Sequence, residues 1–363
     1  MPEALKLVIS DFHLGKGQFL PSGLPNVMED FHHDIKLSEF LEYYSRGAGR
    51  NGAVNVELVI NGDFFDYLTV DVSGKYPDAM FESDALMSTK LICEGHPVAM
   101  QGLRDFAHTK GCAIRYLLGN HDPAIVWPSV QNYLRDVIHP EMEFGMDGYD
   151  FDDIRIEHGH QREVVHQFDM HQLTLPPGKR GRKESIINFP FGCFFVTQFL
   201  TKLRIHRPYI SYVMPFRLYL RWAFINDFWF ALWHGILVIL YFIKMRFIRH
   251  PYRFSRFSKT LQILHAIFDP PRLESIAAKI LKTAPYRILI MGHNHEACMR
   301  LYPDGKQYIN SGTWTEFTSF DPEMLGHHSV LSFILVERDL NMPWRAELKR
   351  WIGKHRVEET LAW

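Results

Sequence analysis

Cysteine is scarce in this sequence: four in 363 residues, Cys93, Cys112, Cys193 and Cys298, with no two forming a CxxC pair. That spacing offers neither a thiolate zinc site nor a disulfide framework, and the expectation is reduced, structural thiols in a cytoplasmic protein. Internal repeats and low-complexity tracts are also missing, which sets aside repeat architectures and long disordered tails. Residues 5–9 are too short an apolar run for the core of a signal peptide, so none is expected. Charged residues make up 22% and hydrophobic ones 47%, proportions of an ordinary globular chain long enough for one large domain carrying a substantial insertion.

What is present is a recurring pattern. Short apolar runs at residues 5–10, 56–60, 113–118, 154–157 and 287–291 each stop abruptly at a polar cluster. Runs of this length, rich in Val, Ile and Leu, read as strands buried on both faces of a sheet. Helical patterns over 28–45 and 84–108 lie between them, which indicates an α/β architecture. Residues 308–315, 329–338 and 345–351 read as consecutive strands of a second sheet.

The polar clusters carry the chemistry. In order they are Asp11-Phe-His13, Gly62-Asp63-Phe-Phe-Asp66, Gly119-Asn120-His121-Asp122, His158-Gly-His160 and Gly292-His293-Asn-His295. Functional groups of open α/β sheets gather beyond the carboxyl ends of strands, so five loops can converge on one point. Carboxylate, amide oxygen and imidazole, without thiolate, are the donors that suit Mn²⁺, Fe or Zn²⁺. In Asp-x-His and His-x-His, residues two apart are expected on the same side of an extended segment. Any one cluster alone reads as an ordinary turn; five in series, each after a strand, do not.

This motif series, complete and in order, resembles that of the calcineurin-like metallophosphoesterases, and it frames the chain from about residue 5 to 335. The resemblance implies an α/β fold, a four-layer α/β/β/α sandwich with a large, mainly helical, basic and aromatic insertion. The core would comprise residues 1–168 and 286–363, with the insertion at 169–285. It further implies a pair of divalent ions, Mn²⁺ first among them. Asp11, His13 and His295 would hold one ion and Asn120, His158 and His293 the other, with Asp63 between them. A water shared by the two cations would attack phosphorus. His121 would contact the phosphate or protonate the leaving oxygen, and Asp66 and Asp122 would orient ligands or tune His121. His160 has an open role, either through its backbone carbonyl or none at all. Within the superfamily, these motifs and a lipid-facing insertion are similar to the UDP-2,3-diacylglucosamine hydrolases, peripheral membrane pyrophosphatases. The chain departs from the best-known branch at His121, where that branch has arginine.

The insertion is short of acids: from Met170 to Pro285 there are four, against eighteen Lys and Arg, so a basic appendage sits on an acidic body. Such asymmetry suggests an anionic partner. From Phe228 to Ile243 no charge occurs at all. Arg217 and Arg221 precede this run and Lys244 and Arg246 follow it, while Trp222, Phe228, Trp229 and Trp233 make it aromatic. A membrane-spanning helix needs about 20 apolar residues. Ligands before and after the insertion must also meet on one side, so crossings number zero or an even count. A buried core helix competes with a monotopic device, its aromatics dipping into one leaflet and its cations at the headgroups; the basic flanks favour the latter. The expectation is a phosphoesterase on the inner face of the cell membrane, acting on a lipid-linked phosphate. The rival readings are a soluble nucleotide, phosphodiester or phosphoprotein phosphatase, or a nuclease, whose insertion mediates oligomerisation, and a non-catalytic metal-stabilised scaffold. Nucleic acid ranks lower as a partner, because sixteen residues without charge track a phosphate backbone poorly.

Overall fold

A computed structural model describes residues 2–74, 76, 79–178, 183–208, 210, 213–214, 216–247, 261–263, 265–266, 272–320, 325–353 and 358–360. The first half contributes β1 (Pro2–Ile9), β2 (Asn55–Asn61), β3 (Cys112–Leu117), β4 (Glu143–Gly145), β5 (Tyr149–Phe151) and β6 (Ile154–Ile156). The insertion adds the short strands β7 (Thr174–Leu175), β8 (Ile186–Ile187) and β9 (Val213–Met214). After it come β10 (Ile288–Met291), β11 (Cys298–Leu301), β12 (Gln307–Asn310), β13 (Phe317–Ser319), β14 (Gly326–His328), β15 (Ser332–Asp339), β16 (Arg345–Trp351) and β17 (Glu358–Thr360). The helices are α1 (Asp34–Arg46), α2 (Glu82–Gly95), α3 (Pro97–Ala107), α4 (Pro128–Val137), α5 (Phe191–Phe195), α6 (Thr201–His206), α7 (Phe216–Asn226), α8 (Phe228–Phe247) and α9 (Leu273–Thr283).

Two sheets form the centre. One has the strand order β17-β16-β15-β1-β2-β3-β4, the other β11-β12-β10-β6-β5. Alternation along the strands sorts side chains between layers. Leu7, Ile9, Leu58 and Ile60 pack against Leu37, Phe40 and Leu41 of α1 and Leu103 and Phe106 of α3. Val8, Val59 and Leu117 point the other way, onto Ile154, Ile156, Ile288 and Ile290 of the second sheet. Leu289, Met291 and Tyr308 on that sheet's outer face meet Leu273, Ala277 and Leu281 of α9. The result is the α/β/β/α sandwich.

Three expectations need correction. The C-terminal strands are not one second sheet: β15 lies antiparallel to β1 and β16 extends the same sheet, while β12 lies parallel to β10 in the other. β15 and β1 come from opposite ends of the sequence, and no local pattern encodes their pairing. The helix expected from residue 28 begins at Asp34, because the Glu29 carboxylate accepts from the Phe31, Gly15 and Gly17 backbone N–H groups and ties the preceding segment into a loop. The expected helix over 84–108 is two helices. Pro97 opens α3, where its missing N–H costs nothing, and it leaves His96 outside helical geometry.

Candidate metal centre

β1, β2 and β3 run parallel in the first sheet, and β6 and β10 run parallel in the second. Their carboxyl ends therefore share one rim, and all five motifs lie on it. The ligand loops are not extended, which corrects the reading of Asp-x-His and His-x-His. Asp11, His13, Asp63, His293 and His295 all have positive φ, between 52° and 75°. Five L-residues in the left-handed region store backbone strain, of the kind held only where surrounding structure over-determines it. The supports are visible: Phe12 and His13 N–H donate to the Asp63 carbonyl at 2.9 and 3.0 Å, and Thr313 Oγ1 donates to the Asp11 carbonyl at 2.6 Å. Gly119 is required by close approach, since a Cβ there would run into the Asp63 carboxylate.

Side chains from all five loops meet. His295 Nε2 lies 3.4 Å from Asp11 Oδ1 and 3.1 Å from His13 Nε2. His158 Nε2 lies 3.2 Å from Asp63 Oδ2 and 4.0 Å from Asp11 Oδ1, and His13 Nε2 is 4.0 Å from Asp63 Oδ2. Four candidate ligand groups occur among the described residues: Asp11 with His13 and His295, Asp63 with His158 and His293, His13 with Asp66 and His121, and Glu163 with His166 and His293; the first two hold the expected ligands. The Asp63 carboxylate reaches toward both groups and also accepts from the His121 N–H at 2.7 Å. Asn120 lines the same pocket, its buried Oδ1 without a hydrogen-bond partner among the described residues.

The donor set fits a pair of cations. Nearly every atom at the focus is an acceptor, and acceptors crowded at 3–4 Å repel unless positive charge lies among them. Protonation of an imidazole supplies positive charge of the same kind. Burial opposes it, yet Asp63 and Asp11 hold the His158 imidazole up to about 10. His13 goes the other way: burial, then His121 and His295, push it down to about 4, leaving a neutral ring with a free lone pair. Asp63 is held well below the usual carboxylate range; burial works against this, and His158 and His121 outweigh it. His158 Nδ1 faces the Asn61 carbonyl at 2.7 Å, which accepts its N–H and turns Nε2 to the centre.

The remaining residues divide. His121 Nδ1 lies 2.9 Å from Asp66 Oδ1, and this pair, against the burial penalty, lifts the imidazole to about 9. Asp122 does not reach His121: its carboxylate accepts from Gly119 N–H, Phe64 N–H and the Tyr116 hydroxyl, bracing the loops beneath the centre. His160 is buried, both ring nitrogens lack hydrogen-bond partners, and its carbonyl accepts the Glu163 N–H at 3.1 Å. It belongs to none of the ligand groups found among the described residues. Glu163 and His166 line the pocket of about 230 Å³ together with Asp63, Asn120, His121 and His293, and the motifs gave no sign of them. A lone Glu and a lone His in an irregular segment carry no periodicity that would single them out. A wider groove of about 1080 Å³ over Lys16, Ile35 and Val98 holds no comparable set of groups.

In the insertion, α7 and α8 pack inward through Tyr219, Ala223, Phe230 and Ala231. Their other side is bare. Trp222, Phe228 and Trp233 are exposed, and Trp229 and Ile225 are 78% and 81% so. The run is thus no buried core helix, because Ile239, Leu240 and Ile243 are also exposed. No helix among the described residues is long and apolar enough to cross a membrane. Arg221 is exposed. The side chains of Arg217, Lys244 and Arg246, together with Arg249 and Arg253, lie outside the described ones.

No protein-family model and no curated protein matches this sequence. Solved structures that align along nearly its whole length include wild-type Vps29 from Entamoeba histolytica complexed with Zn²⁺, 13% identical, covering 98% of each chain at a TM-score of 0.31. A predicted phosphoesterase from Streptococcus pneumoniae is 10% identical over 98% of this chain and 96% of its own, TM-score 0.31. A dimetal phosphatase from Danio rerio is 12% identical over 95% and 99%, TM-score 0.34. At such scores these likenesses bear no weight, and the reading of the site rests on its geometry.

Proposed function

We propose that this chain is a dinuclear metal-dependent phosphoesterase of the calcineurin-like kind, working at a membrane surface on a lipid-linked phosphate or pyrophosphate. The observation that carries the reading is the meeting of Asp11, His13, Asp63, Asn120, His158, His293 and His295 from five loops, with the buried Asn120 Oδ1 left without a hydrogen-bond partner among the described residues. Two cations, Mn²⁺ by preference, would lower the pKa of an attacking water and neutralise charge on the phosphoryl oxygens. The chain's own residues do the rest. Asp11, His13 and His295 would hold one ion, Asn120, His158 and His293 the other, with Asp63 serving both. Asp66 accepts the Nδ1–H of His121, which leaves Nε2 directed to the substrate; a proton held there can pass to the leaving oxygen.

The membrane half of the reading is supported by the bare aromatic face of α7 and α8. Monomeric soluble proteins rarely leave contiguous apolar surface of this kind uncovered, and tryptophans beside cations suit a headgroup boundary. The test has two arms. Turnover of bis(p-nitrophenyl) phosphate by the full chain with Mn²⁺, abolished by chelation, is expected; inactivity with Mn²⁺, Fe²⁺ and Zn²⁺ alike defeats the enzyme in favour of a scaffold. Co-sedimentation with phosphatidylglycerol vesicles should be strong for the full chain and reduced at least tenfold by the pair Trp229→Ser and Trp233→Ser. Failure of the full chain to sediment removes the membrane claim and leaves a soluble phosphatase; equal, strong sedimentation of both proteins removes the α8 tryptophans as the contact.

A further inference from the structure

We propose that Glu163 is a positioning residue for His293, its carboxylate accepting the Nε2–H so that Nδ1 is the nitrogen presented to the cation. The inference rests on the dinuclear reading and assigns the turn after His158, just before the insertion, a part in building the centre. Glu163 Oε2 lies 3.1 Å from His293 Nε2. An imidazole has two nitrogens, and whichever gives its proton to a fixed acceptor leaves the other's lone pair for a metal. The same device appears once more on this rim, where the Asn61 carbonyl faces Nδ1 of the ligand His158. The His293 backbone N–H is taken up separately, by the Asp11 carboxylate at 3.0 Å.

The segment that carries Glu163 is held for this task. Left-handed Gly159 turns the chain after His158, and the His160 carbonyl then accepts the Glu163 N–H. The Glu163 carbonyl in turn accepts the His166 N–H at 2.9 Å, and the His166 ring lies against His293 with centroids 5.1 Å apart. Gly192, at the start of α5, donates its N–H to the Val165 carbonyl at 2.8 Å, and a Cβ on it would strike the His166 ring. Close approach of α5 thus presses His166 over the Glu163–His293 pair. Desolvation of that kind strengthens a hydrogen bond between an imidazole and a carboxylate. A rival role exists for the same atoms: Glu163, His166 and His293 could themselves hold a third ion.

Titration of the metal-free full chain with Mn²⁺ by calorimetry separates these possibilities. Wild type should bind two equivalents. Glu163→Ala should weaken one of the two by about 10–100-fold and leave the other unchanged. Glu163→Gln, whose side-chain oxygen still accepts, should keep most of that affinity. Unfolding midpoints of the metal-free variants should match wild type. Two equivalents bound by Glu163→Ala at wild-type affinity overturn the proposal, as does a Gln variant no better than Ala. A third equivalent lost in Glu163→Ala overturns it in favour of a ligand role. Fewer than two equivalents in wild type defeat the dinuclear reading itself. A measurement that needs no variant stands beside these: in Zn²⁺-loaded protein with ¹⁵N-labelled histidine, His293 should show a metal-bound Nδ1 and a protonated Nε2. The opposite assignment ends the proposal.

Discussion

At the scale of single residues, Asp63 holds the most constrained place. Its φ is 52°, its carboxylate is buried beside His158, and it accepts from the His121 N–H. Asp63→Asn preserves shape and an acceptor oxygen but removes the charge that, in the proposed centre, would serve two cations. The expected outcome is a folded protein that retains less than one equivalent of Mn²⁺ after dialysis, with turnover reduced at least a thousandfold; full metal content with normal turnover would sink the dinuclear centre. His121→Asn should behave differently, keeping both ions while kcat falls by about 10²–10⁴, the usual worth of a positioned acid. Metal analysis and kinetics on the same preparations separate the two roles. The meeting of these side chains was legible because each motif is contiguous and follows a strand. Their left-handed backbone was not, since Asp and His carry no sequence mark for positive φ as glycine does. Asp122 was expected from the resemblance to orient ligands or tune His121; its three hydrogen bonds, from two backbone N–H groups and the Tyr116 hydroxyl, brace the ligand loops.

At the scale of elements, strands and helices followed from hydrophobic period, and the errors fell where a side chain or a proline overrode it, at Glu29 and Pro97. The insertion was read from composition, but what fastens it to the core was not. Arg204 of α6 is 2% exposed, its Nη1 lies 3.2 Å from Asp30 Oδ2, and its Nη2 donates to the Val27 carbonyl at 3.0 Å. Asp30 belongs to the loop before α1, so this pair joins two segments some 174 residues apart. A buried ion pair broken on one side leaves an uncompensated charge, costing about 3–5 kcal/mol, whereas replacing both partners by apolar groups costs far less. Asp30→Ala should therefore lower stability in urea by roughly 3 kcal/mol. The double variant Asp30→Ala with Arg204→Met should recover more than half of the loss. Additive losses would show that the pair is a surface contact and not a desolvated bridge.

At the scale of the whole molecule, sheet membership was the least legible property, because β1 sits between β2 and β15 and no local rule joins the two ends of a chain. The same non-local closure creates a switch in stability that spacing could not foretell. His96, at the junction of α2 and α3, is 1% exposed between Asp34 at the start of α1 and Glu29 of the loop after His13, at 2.9 and 3.2 Å. Burial disfavours its charge, but these two carboxylates raise it from 6.5 to about 9. A folded-state pKa above the unfolded one means the folded chain binds the extra proton more tightly. The stabilisation is thus complete below about pH 6.5 and disappears as pH rises through about 9. A shift of this size corresponds to at most about 3 kcal/mol. Urea unfolding in EDTA, which removes the metal centre from the comparison, should place His96→Gln well below wild type at pH 6. The gap should narrow steadily to a small residue by pH 9.5, because the amide introduced by the substitution carries no titrating proton while wild type loses its own. A gap that stays constant across that range would mean His96 is neutral in the fold, and that Glu29 and Asp34 hold their loops without its charge.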